Sequence, residues 1–136
     1  MSETTTREQP FPLPEGPFWQ AVEQGRLTFQ RCRACGHAWL PERQACPVCW
    51  TADSDRETAS GKARVVSWVV YHVAFHPAFE GRLPYNVAIV ELAEGPRMVT
   101  NLVNLEGWAG AVADAPAELV IQEDFGRRIP RFRLVG

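Results

Sequence analysis

The stretch that decides the fold is Cys32-Arg33-Ala34-Cys35, followed after ten intervening residues by Cys46-Pro47-Val48-Cys49. These are the only four cysteines among the 136 residues. Each CxxC pair brings two thiolates within reach of one ion, and the short connection lets the pairs close a tetrahedral site. Four sulfur ligands suit Zn²⁺ and exclude hard cations. The sequence therefore predicts a structural zinc ion with the ligands Cys32, Cys35, Cys46 and Cys49.

Two disulfides are the alternative use of these cysteines, and they require an oxidising compartment. Met1 is followed by a polar run without the apolar core of a signal peptide. The apolar stretch around Val65 to Val73 is interrupted by Ser67 and His72 and is too short to span a membrane. We therefore expect zinc, or iron as the metal that the same ligands also accept, in a cytoplasmic protein.

The N-terminal region divides into an arm and a helix. Residues 1–13 are polar and proline-rich, which is typical of a disordered arm. Residues 17–24 place Phe18 and Trp19 on one face of a short helix, and Gly25 follows where the helix would end. Because this aromatic face is large for so short a helix, we expect it to pack against the rest of the chain or against a partner.

The metal-binding region is expected to begin with a strand and end with a linker. Residues 27–31 alternate as a strand that leads into the first cysteine knuckle. Gly36 follows that knuckle and permits a tight turn with N–H groups directed at the thiolates. The matching residue of the second knuckle is Trp50, so we expect a less regular turn there. Residues 51–60 are polar and predict a linker, which completes a helix-and-ribbon unit over residues 14–60.

From residue 61 onward the composition favours β-structure. Five segments are rich in branched and aromatic residues and predict strands over 63–73, 85–92, 97–103, 117–125 and 131–135. Five short strands with a longer break after the third are typical of an OB-fold barrel, and an SH3-like barrel is the nearest rival. The expected architecture is mainly β, with an N-terminal helix and zinc ribbon before a five-stranded OB-fold domain over residues 61–136.

Several motifs in this order resemble one known family. They are Pro17-Phe18-Trp19, Leu27, Gln30-Arg31-Cys32, Cys35-Gly36, Pro41, Cys46-Pro47, Cys49, Gly61, Val65, Pro84-Tyr85, Val87, Val90-Glu91-Leu92 and Glu94-Gly95-Pro96-Arg97. The family joins a rubredoxin-like zinc ribbon to an OB-fold, was long filed among domains of unknown function and is associated with acyl-CoA enzymes. Trp50 departs from its pattern, since members usually carry glycine there.

The resemblance implies a non-catalytic accessory subunit. Members of the family accompany thiolase-like enzymes and aldolases that act on acyl-CoA, including enzymes of steroid and other lipid metabolism. The chain is therefore expected to bind such an enzyme in a hetero-oligomer and to help hold acyl-CoA or an acyl intermediate.

The residues themselves argue against independent catalysis. Every cysteine is assigned to the metal, so no thiol remains as a nucleophile. The four serines lie outside any GxSxG motif, and a closed zinc site cannot activate water. His72 and His76 are candidates for acid–base work with Glu80 or Asp124, but spacing does not place them together.

Two regions are candidates for contact with a ligand or partner. The loop between the first two barrel strands borders the binding face of OB-folds, and it offers Phe75, Phe79, Arg82 and Tyr85. The alternative is that these aromatic side chains only cap the barrel core. Arginines gather near the C-terminus, where they would receive the phosphates of CoA or form a solvated hairpin edge. With the helix face, the full set is Phe18, Trp19, Phe75, Phe79, Arg82, Tyr85, Arg127, Arg128, Arg131 and Arg133.

A free-standing module for single-stranded nucleic acid is the alternative function. Aromatic residues on an OB barrel can stack on bases. The net charge of −2, from 14 basic and 16 acidic residues, argues against nucleic acid, because phosphate binding requires many basic groups.

Overall fold

The computed structural model describes residues 15–40 and 42–135, and strands dominate this part of the chain. Helix α1 (Pro17–Glu23) comes first, and a 3-10 helix (Pro77–Arg82) lies between the fourth and fifth strands. The strands are β1 (Thr28–Cys32), β2 (Ala38–Trp39), β3 (Ser54–Thr58), β4 (Lys62–Tyr71), β5 (Tyr85–Leu92), β6 (Arg97–Thr100), β7 (Pro116–Asp124) and β8 (Arg127–Leu134). The predicted mainly β architecture is confirmed, and the predicted arm over residues 1–13 lies outside the described residues.

Helix α1 begins and ends where the sequence predicts. Pro17 occupies its first turn, where a missing N–H costs no helical hydrogen bond. Gly25 lies just beyond the end with φ of 87°, and its N–H donates to the carbonyl of Val22 at 2.9 Å. Ala21 and Val22 are buried. No helix in the described part of the chain combines the length and the apolar character that crossing a membrane requires.

The predicted linker over residues 51–60 is wrong, because its centre forms strand β3. This strand pairs antiparallel with β1 along its whole length, from Thr28 opposite Thr58 to Cys32 opposite Ser54. Strand β2 pairs with the other edge of β1. The segment has no apolar alternation to identify it as a strand, and pairing with β1 supplies the partners that its backbone needs.

The five-stranded sheet, in the order β6-β5-β4-β7-β8, curls into the predicted OB barrel. Strand β4 pairs with β5 along nearly all its length, but with β7 only from Lys62 to Arg64. A bulge between Val65 and Ser67 shifts the register of β4 against β5, and such bulges bend and twist the strand that contains them. The sheet closes where Leu102 pairs in parallel with Phe132.

The ribbon and the barrel share one hydrophobic core. Leu27 and Phe29, which precede the first knuckle, are each 1% exposed and belong to the same cluster as Val65 and Phe132 of the barrel. The cluster also contains Ala59, Ala88, Val90, Leu92, Leu102, Ala115, Ala117 and Leu134, with Phe18 packed against it. The two parts are therefore expected to stabilise each other through apolar contacts.

Phe132 tests the barrel core, because it is fully buried at the point of closure. We expect Phe132→Ala to lower the free energy of unfolding by about 3–5 kcal/mol, the cost of lost burial plus a cavity. Urea denaturation of the zinc-loaded protein measures this difference. Val99→Ala is the matched control, since Val99 is 66% exposed and its truncation should cost less than about 0.5 kcal/mol. Equal losses in the two variants would contradict this account of the core.

Candidate metal centre and contact surfaces

Two knuckles of the same geometry hold the four cysteines. Strand β1 delivers Cys32 to the first, and the N–H groups two and three residues later donate to its Sγ at 3.3 and 3.4 Å. In the second knuckle the corresponding N–H groups donate to Cys46 Sγ at 3.4 and 3.5 Å. N–H groups that donate to the ligand sulfurs are the outer contacts that orient ligands around a metal ion.

Each knuckle closes with the same backbone hydrogen bond. The Gly36 N–H donates to the Cys32 carbonyl at 3.0 Å, and the Trp50 N–H donates to the Cys46 carbonyl at 2.9 Å. Gly36 has φ of 81° and Trp50 has φ of 68°, so both occupy the left-handed region. The expectation of a less regular second turn is therefore wrong, because Trp50 adopts the conformation that glycine adopts in the first.

The four sulfur atoms fit a tetrahedral zinc ion. All lie within 4.8 Å of one another, with Cys32 and Cys49 at 3.5 Å and Cys35 and Cys46 at 3.6 Å. Zinc bound to sulfur at about 2.3 Å requires sulfur–sulfur distances of about 3.8 Å. A backbone hydrogen bond at His37 lowers the pKa of Cys35, but desolvation and the three neighbouring thiols raise it to about 12. A hydrogen bond with the Thr51 side chain contributes most to lowering the pKa of Cys49 to about 6. Four thiolates this close would repel one another, so a cation is needed to hold all four in that form.

Gln30 holds the ribbon together around this site, a role that the sequence analysis did not identify although it named Gln30 in the family motif. Its buried amide oxygen accepts from Trp39 Nε1 at 3.1 Å and from the Arg43 N–H at 2.8 Å. Its nitrogen donates to the Arg43 carbonyl at 2.9 Å and to Ser54 Oγ at 3.3 Å. Both ends of the amide are satisfied, so Gln30 ties the segment between the knuckles to the sheet. The feature that points to this role is that Gln30, a polar residue, occupies a buried position of β1.

The loop between β4 and β5 presents the predicted aromatic residues as a packed cluster. Tyr85 stacks between Tyr71 and Phe79, with ring centroids 5.2 and 5.0 Å away. Phe75 contacts Tyr71 edge-on and remains 76% exposed. His76 caps the 3-10 helix, where its Nδ1 accepts from the Ala78 N–H at 3.0 Å. The loop is therefore shaped by its own ring contacts, with Phe75 projecting outward.

A cleft of about 520 Å³ brings several predicted contact residues together. Phe79, Arg82, Tyr85 and Arg131 all line it. The cleft also has apolar and polar linings that the sequence analysis missed, contributed by Val70, Pro84, Asn86, Asn101, Leu102, Val103, Leu105, Glu106 and Gln122. Its position beside the β4–β5 loop agrees with the binding face of OB-folds.

Asp124 fastens the loop to the barrel. The two terminal guanidinium nitrogens of Arg82 donate to its carboxylate, at 2.7 and 2.8 Å, and Arg131 donates at 2.9 Å. The hydrogen bonds from Arg82 contribute most to lowering the pKa of Asp124 to about 2; desolvation acts against them, and Arg131 lowers it further. Asp124 therefore joins Arg82 of the loop to Arg131 of β8 as a fixed anion.

The other predicted residues lie outside the cleft lining. Trp19 stacks under the Arg127 guanidinium at 4.4 Å, and its ring meets Phe18 edge-on at 5.1 Å. The Arg128 side chain donates to the Glu23 carbonyl at 2.8 Å, which joins β8 to helix α1. Arg133 pairs with Glu118 at 3.3 Å and is about half exposed. The terminal arginines therefore serve several separate contacts.

A four-cysteine zinc ribbon followed by a closed OB barrel is the class of protein that this fold and site define. Residues 19–55 match the family model described as "ChsH2, rubredoxin-like zinc ribbon domain", and residues 56–122 match "ChsH2, C-terminal OB-fold domain". The chain belongs to this family, whose members are also called DUF35 proteins. The family predicted from the sequence and its structural zinc site are thereby confirmed.

Similar curated proteins carry two kinds of name. A "Probable enoyl-CoA hydratase alpha subunit" of Thermomonospora curvata is 47% identical over 92 residues, which are 67% of this chain and 28% of that protein. A "DUF35 domain-containing scaffold protein" of Methanocaldococcus jannaschii is 40% identical over 63% of this chain and 62% of its own length. One of Pyrococcus furiosus is 33% identical over 70% of this chain and 69% of its own. The match thus spans less than two thirds of the first two relatives.

Two solved structures share the fold. One, titled "Ltp2-ChsH2(DUF35) aldolase", is 38% identical with a TM-score of 0.75, over 90% of this chain and 98% of that one. The other, a DUF35 family protein of unknown function from Sulfolobus solfataricus, is 18% identical with a TM-score of 0.62, over 88% of this chain and 87% of that one. The second likeness concerns the fold alone.

Removal of one zinc ligand tests the metal centre. We expect Cys32→Ser to lose zinc and to lower the melting temperature, because metal affinity in small zinc modules supplies folding free energy on the order of 10 kcal/mol. Metal analysis and a melting curve measure the two effects. Ala34→Ser places the same hydroxyl in the same knuckle without removing a ligand, so it should retain zinc. Retention of both zinc and melting temperature by Cys32→Ser would refute the site.

Replacement of Asp124 tests the link between loop and barrel. Its pKa falls from 3.8 to about 2 on folding. The carboxylate therefore stabilises the fold fully above pH 4, and this contribution is lost as pH falls through about 2. Asp124→Asn should cost about 2 kcal/mol at pH 7, with a shrinking difference from wild type below pH 4. Urea denaturation across this pH range measures it. Asp53→Asn, at an exposed ion pair, is the control, and a similar cost there would contradict the assignment.

Proposed function

We propose that the chain is a non-catalytic accessory subunit of an acyl-CoA enzyme of the aldolase or thiolase type. One observation carries this proposal: the chain matches 98% of a chain in the structure titled "Ltp2-ChsH2(DUF35) aldolase" at 38% identity. The relatives named as scaffold proteins and as a probable enoyl-CoA hydratase subunit support the same role. The chain would then work in a hetero-oligomer with its enzyme.

The chemistry of the described residues supports a holding role. All four cysteines of the sequence lie in the zinc cluster, so thioester exchange would need a nucleophile from the partner. Four thiolates complete the coordination of zinc and leave no position for a reacting water. Asp124 is committed to Arg82 and Arg131, so its role is positional. The reacting groups would therefore belong to the enzyme. Because zinc ligands must remain reduced thiolates, we place the complex in the cytoplasm.

The cleft is the part of the chain best suited to an acyl group. Its apolar wall includes Val70, Leu102 and Val103, and the Phe79–Tyr85 ring pair lies at its side. Apolar walls with a few polar groups are typical of small-molecule sites, and the volume of about 520 Å³ falls within their usual range. We assign the acyl portion of the thioester to this cleft.

We expect the more exposed arginines to bind the phosphates of CoA. Arg131 is only 17% exposed and already pairs with Asp124. Arg133 is 52% exposed and makes a single longer ion pair at 3.3 Å, and Arg128 is bound mainly through a backbone carbonyl. Guanidinium groups of this kind can donate hydrogen bonds to a phosphate in addition to their present partners.

Single-stranded nucleic acid is the second candidate ligand. The stack of Tyr71, Tyr85 and Phe79 beside an OB cleft favours it, since bases bind such rings. The net charge of −2 and the pairing of Arg82 and Arg131 with Asp124 oppose it. Oligonucleotide binding that weakens steeply with salt would favour this candidate.

Purification from the native host tests the accessory role. The tagged chain, recovered at moderate salt, should bring a stoichiometric thiolase- or aldolase-like protein that mass spectrometry identifies. The captured enzyme should turn over its acyl-CoA substrate faster with the chain than without it. Recovery of nucleic acid instead, or of the chain by itself, would contradict the proposal.

Charge reversal tests the phosphate contact. We expect Arg128→Glu with Arg133→Glu to weaken binding of a CoA ester to the complex about tenfold or more, as measured by calorimetry, because each arginine supplies a charge-assisted hydrogen bond. Arg26→Glu with Arg97→Glu is the control, since it changes the net charge equally elsewhere on the chain. Unchanged affinity in the first pair would remove these arginines from the site.

A further inference from the structure

Trp50 is the most exposed large apolar residue in the described part of the chain. Its exposure is 78%, and Val48, at the same knuckle, is 60% exposed. Pro47 and Cys49 beside them are exposed as well. The second knuckle therefore ends in an apolar tip that points into solvent, which we call the Trp50 tip (Pro47, Val48 and Trp50).

The backbone at Trp50 is suited to glycine. Trp50 adopts φ of 68°, and Gly36 adopts φ of 81° at the equivalent position of the first knuckle. Both N–H groups close the same turn, at 2.9 and 3.0 Å. Left-handed backbone is unfavourable for a bulky side chain and free of penalty for glycine. The first knuckle has glycine, the residue that this turn favours, at the equivalent position. The second knuckle has tryptophan there.

The described part of the chain provides no ring or cation–π contact that would offset this strain. Trp50 is absent from the ring pairs and cation–π contacts formed by residues 15–40 and 42–135, and most of its surface faces water. An exposed tryptophan in a strained conformation destabilises the isolated fold. Strained residues of this kind are concentrated at binding sites, where a second molecule supplies the missing contacts.

We propose that the Trp50 tip is an anchor that inserts into an apolar pocket of the aldolase- or thiolase-like enzyme subunit. This inference rests on the proposed function and names the surface through which the enzyme is bound. Tryptophan is the side chain most enriched among interface residues that dominate binding energy. Because zinc and the turn hydrogen bonds fix the backbone, little conformational freedom remains to be lost on binding.

The tip fits an enzyme pocket better than a second copy of this chain. A tryptophan buries about 150–250 Å², so two opposed tips would bury far less than the roughly 1,200 Å² of a stable interface. The tip also projects outward, and two projecting surfaces are not complementary. A pocket in a larger partner can enclose the tip while the rest of the interface supplies the remaining area.

The charge of the metal centre defines the rim of this pocket. Four thiolates around one divalent ion leave a net negative charge, and Cys35 and Cys49 are the exposed ligands. Cys49 directly precedes Trp50. We therefore expect the pocket to be apolar at its base and to carry basic groups or N–H donors at its rim.

Substitution of Trp50 separates this role from a structural one. We expect Trp50→Gly to retain zinc and an equal or higher melting temperature, and yet to weaken binding to the enzyme about 30-fold or more. Trp50→Ala should weaken binding equally, because it removes the ring but not the backbone strain. The probe is the purified thiolase- or aldolase-like subunit that co-purifies with the wild-type chain, and calorimetry gives the dissociation constants. Val99→Ala, exposed on the barrel, should bind as wild type does.

The outcomes distinguish this inference from the proposed function. Wild-type affinity in Trp50→Gly would overturn the anchor and leave the accessory role standing. Failure of the wild-type chain to bind any such enzyme would overturn both. Loss of zinc from Trp50→Gly would show a structural role instead. A concentration-dependent dimer of the wild-type chain that Trp50→Gly abolishes, measured by light scattering, would assign the tip to self-association and overturn the enzyme pocket.

Discussion

The clustering of four sulfur atoms within 4.8 Å is the constraint on which the N-terminal half depends. In the segment between the knuckles only the short strand β2 is regular structure and pairs with β1, and Gln30 together with the metal site holds the residues that follow it. Thiolates this close repel one another unless a cation lies between them. Bound zinc would offset this repulsion and hold both knuckle turns in one conformation.

This constraint reaches the barrel through strand β1. The strand delivers Cys32 to the metal at one end, and Phe29 and the adjoining Leu27 enter the shared core at the other. Helix α1 packs over the same region, where Arg128 of β8 bonds to the carbonyl of Glu23. The ribbon and the barrel are therefore joined through one core, which suits a chain whose proposed work is to hold two molecules.

The cleft and the second knuckle suit different contacts. At the cleft, Asp124 fixes Arg82 and Arg131 and leaves apolar walls and amide groups for a ligand. At the knuckles, the exposed ring of Trp50 occupies a strained backbone conformation. Under the proposed function, the enzyme would be held at the ribbon and the acyl group at the cleft of the same chain.

The sequence by itself determined the metal centre, helix α1 and the five barrel strands, because thiolate spacing, helical spacing and β-branched composition are local signals. Tertiary structure decided the rest. Residues 54–58 lack apolar alternation and became a strand only because β1 had an unpaired edge. Asp124 and Arg82 meet across 42 positions of chain, and no local pattern joins them. The regular turn at Trp50 likewise follows from closure of the metal site, which imposes on tryptophan a conformation that its own preferences oppose.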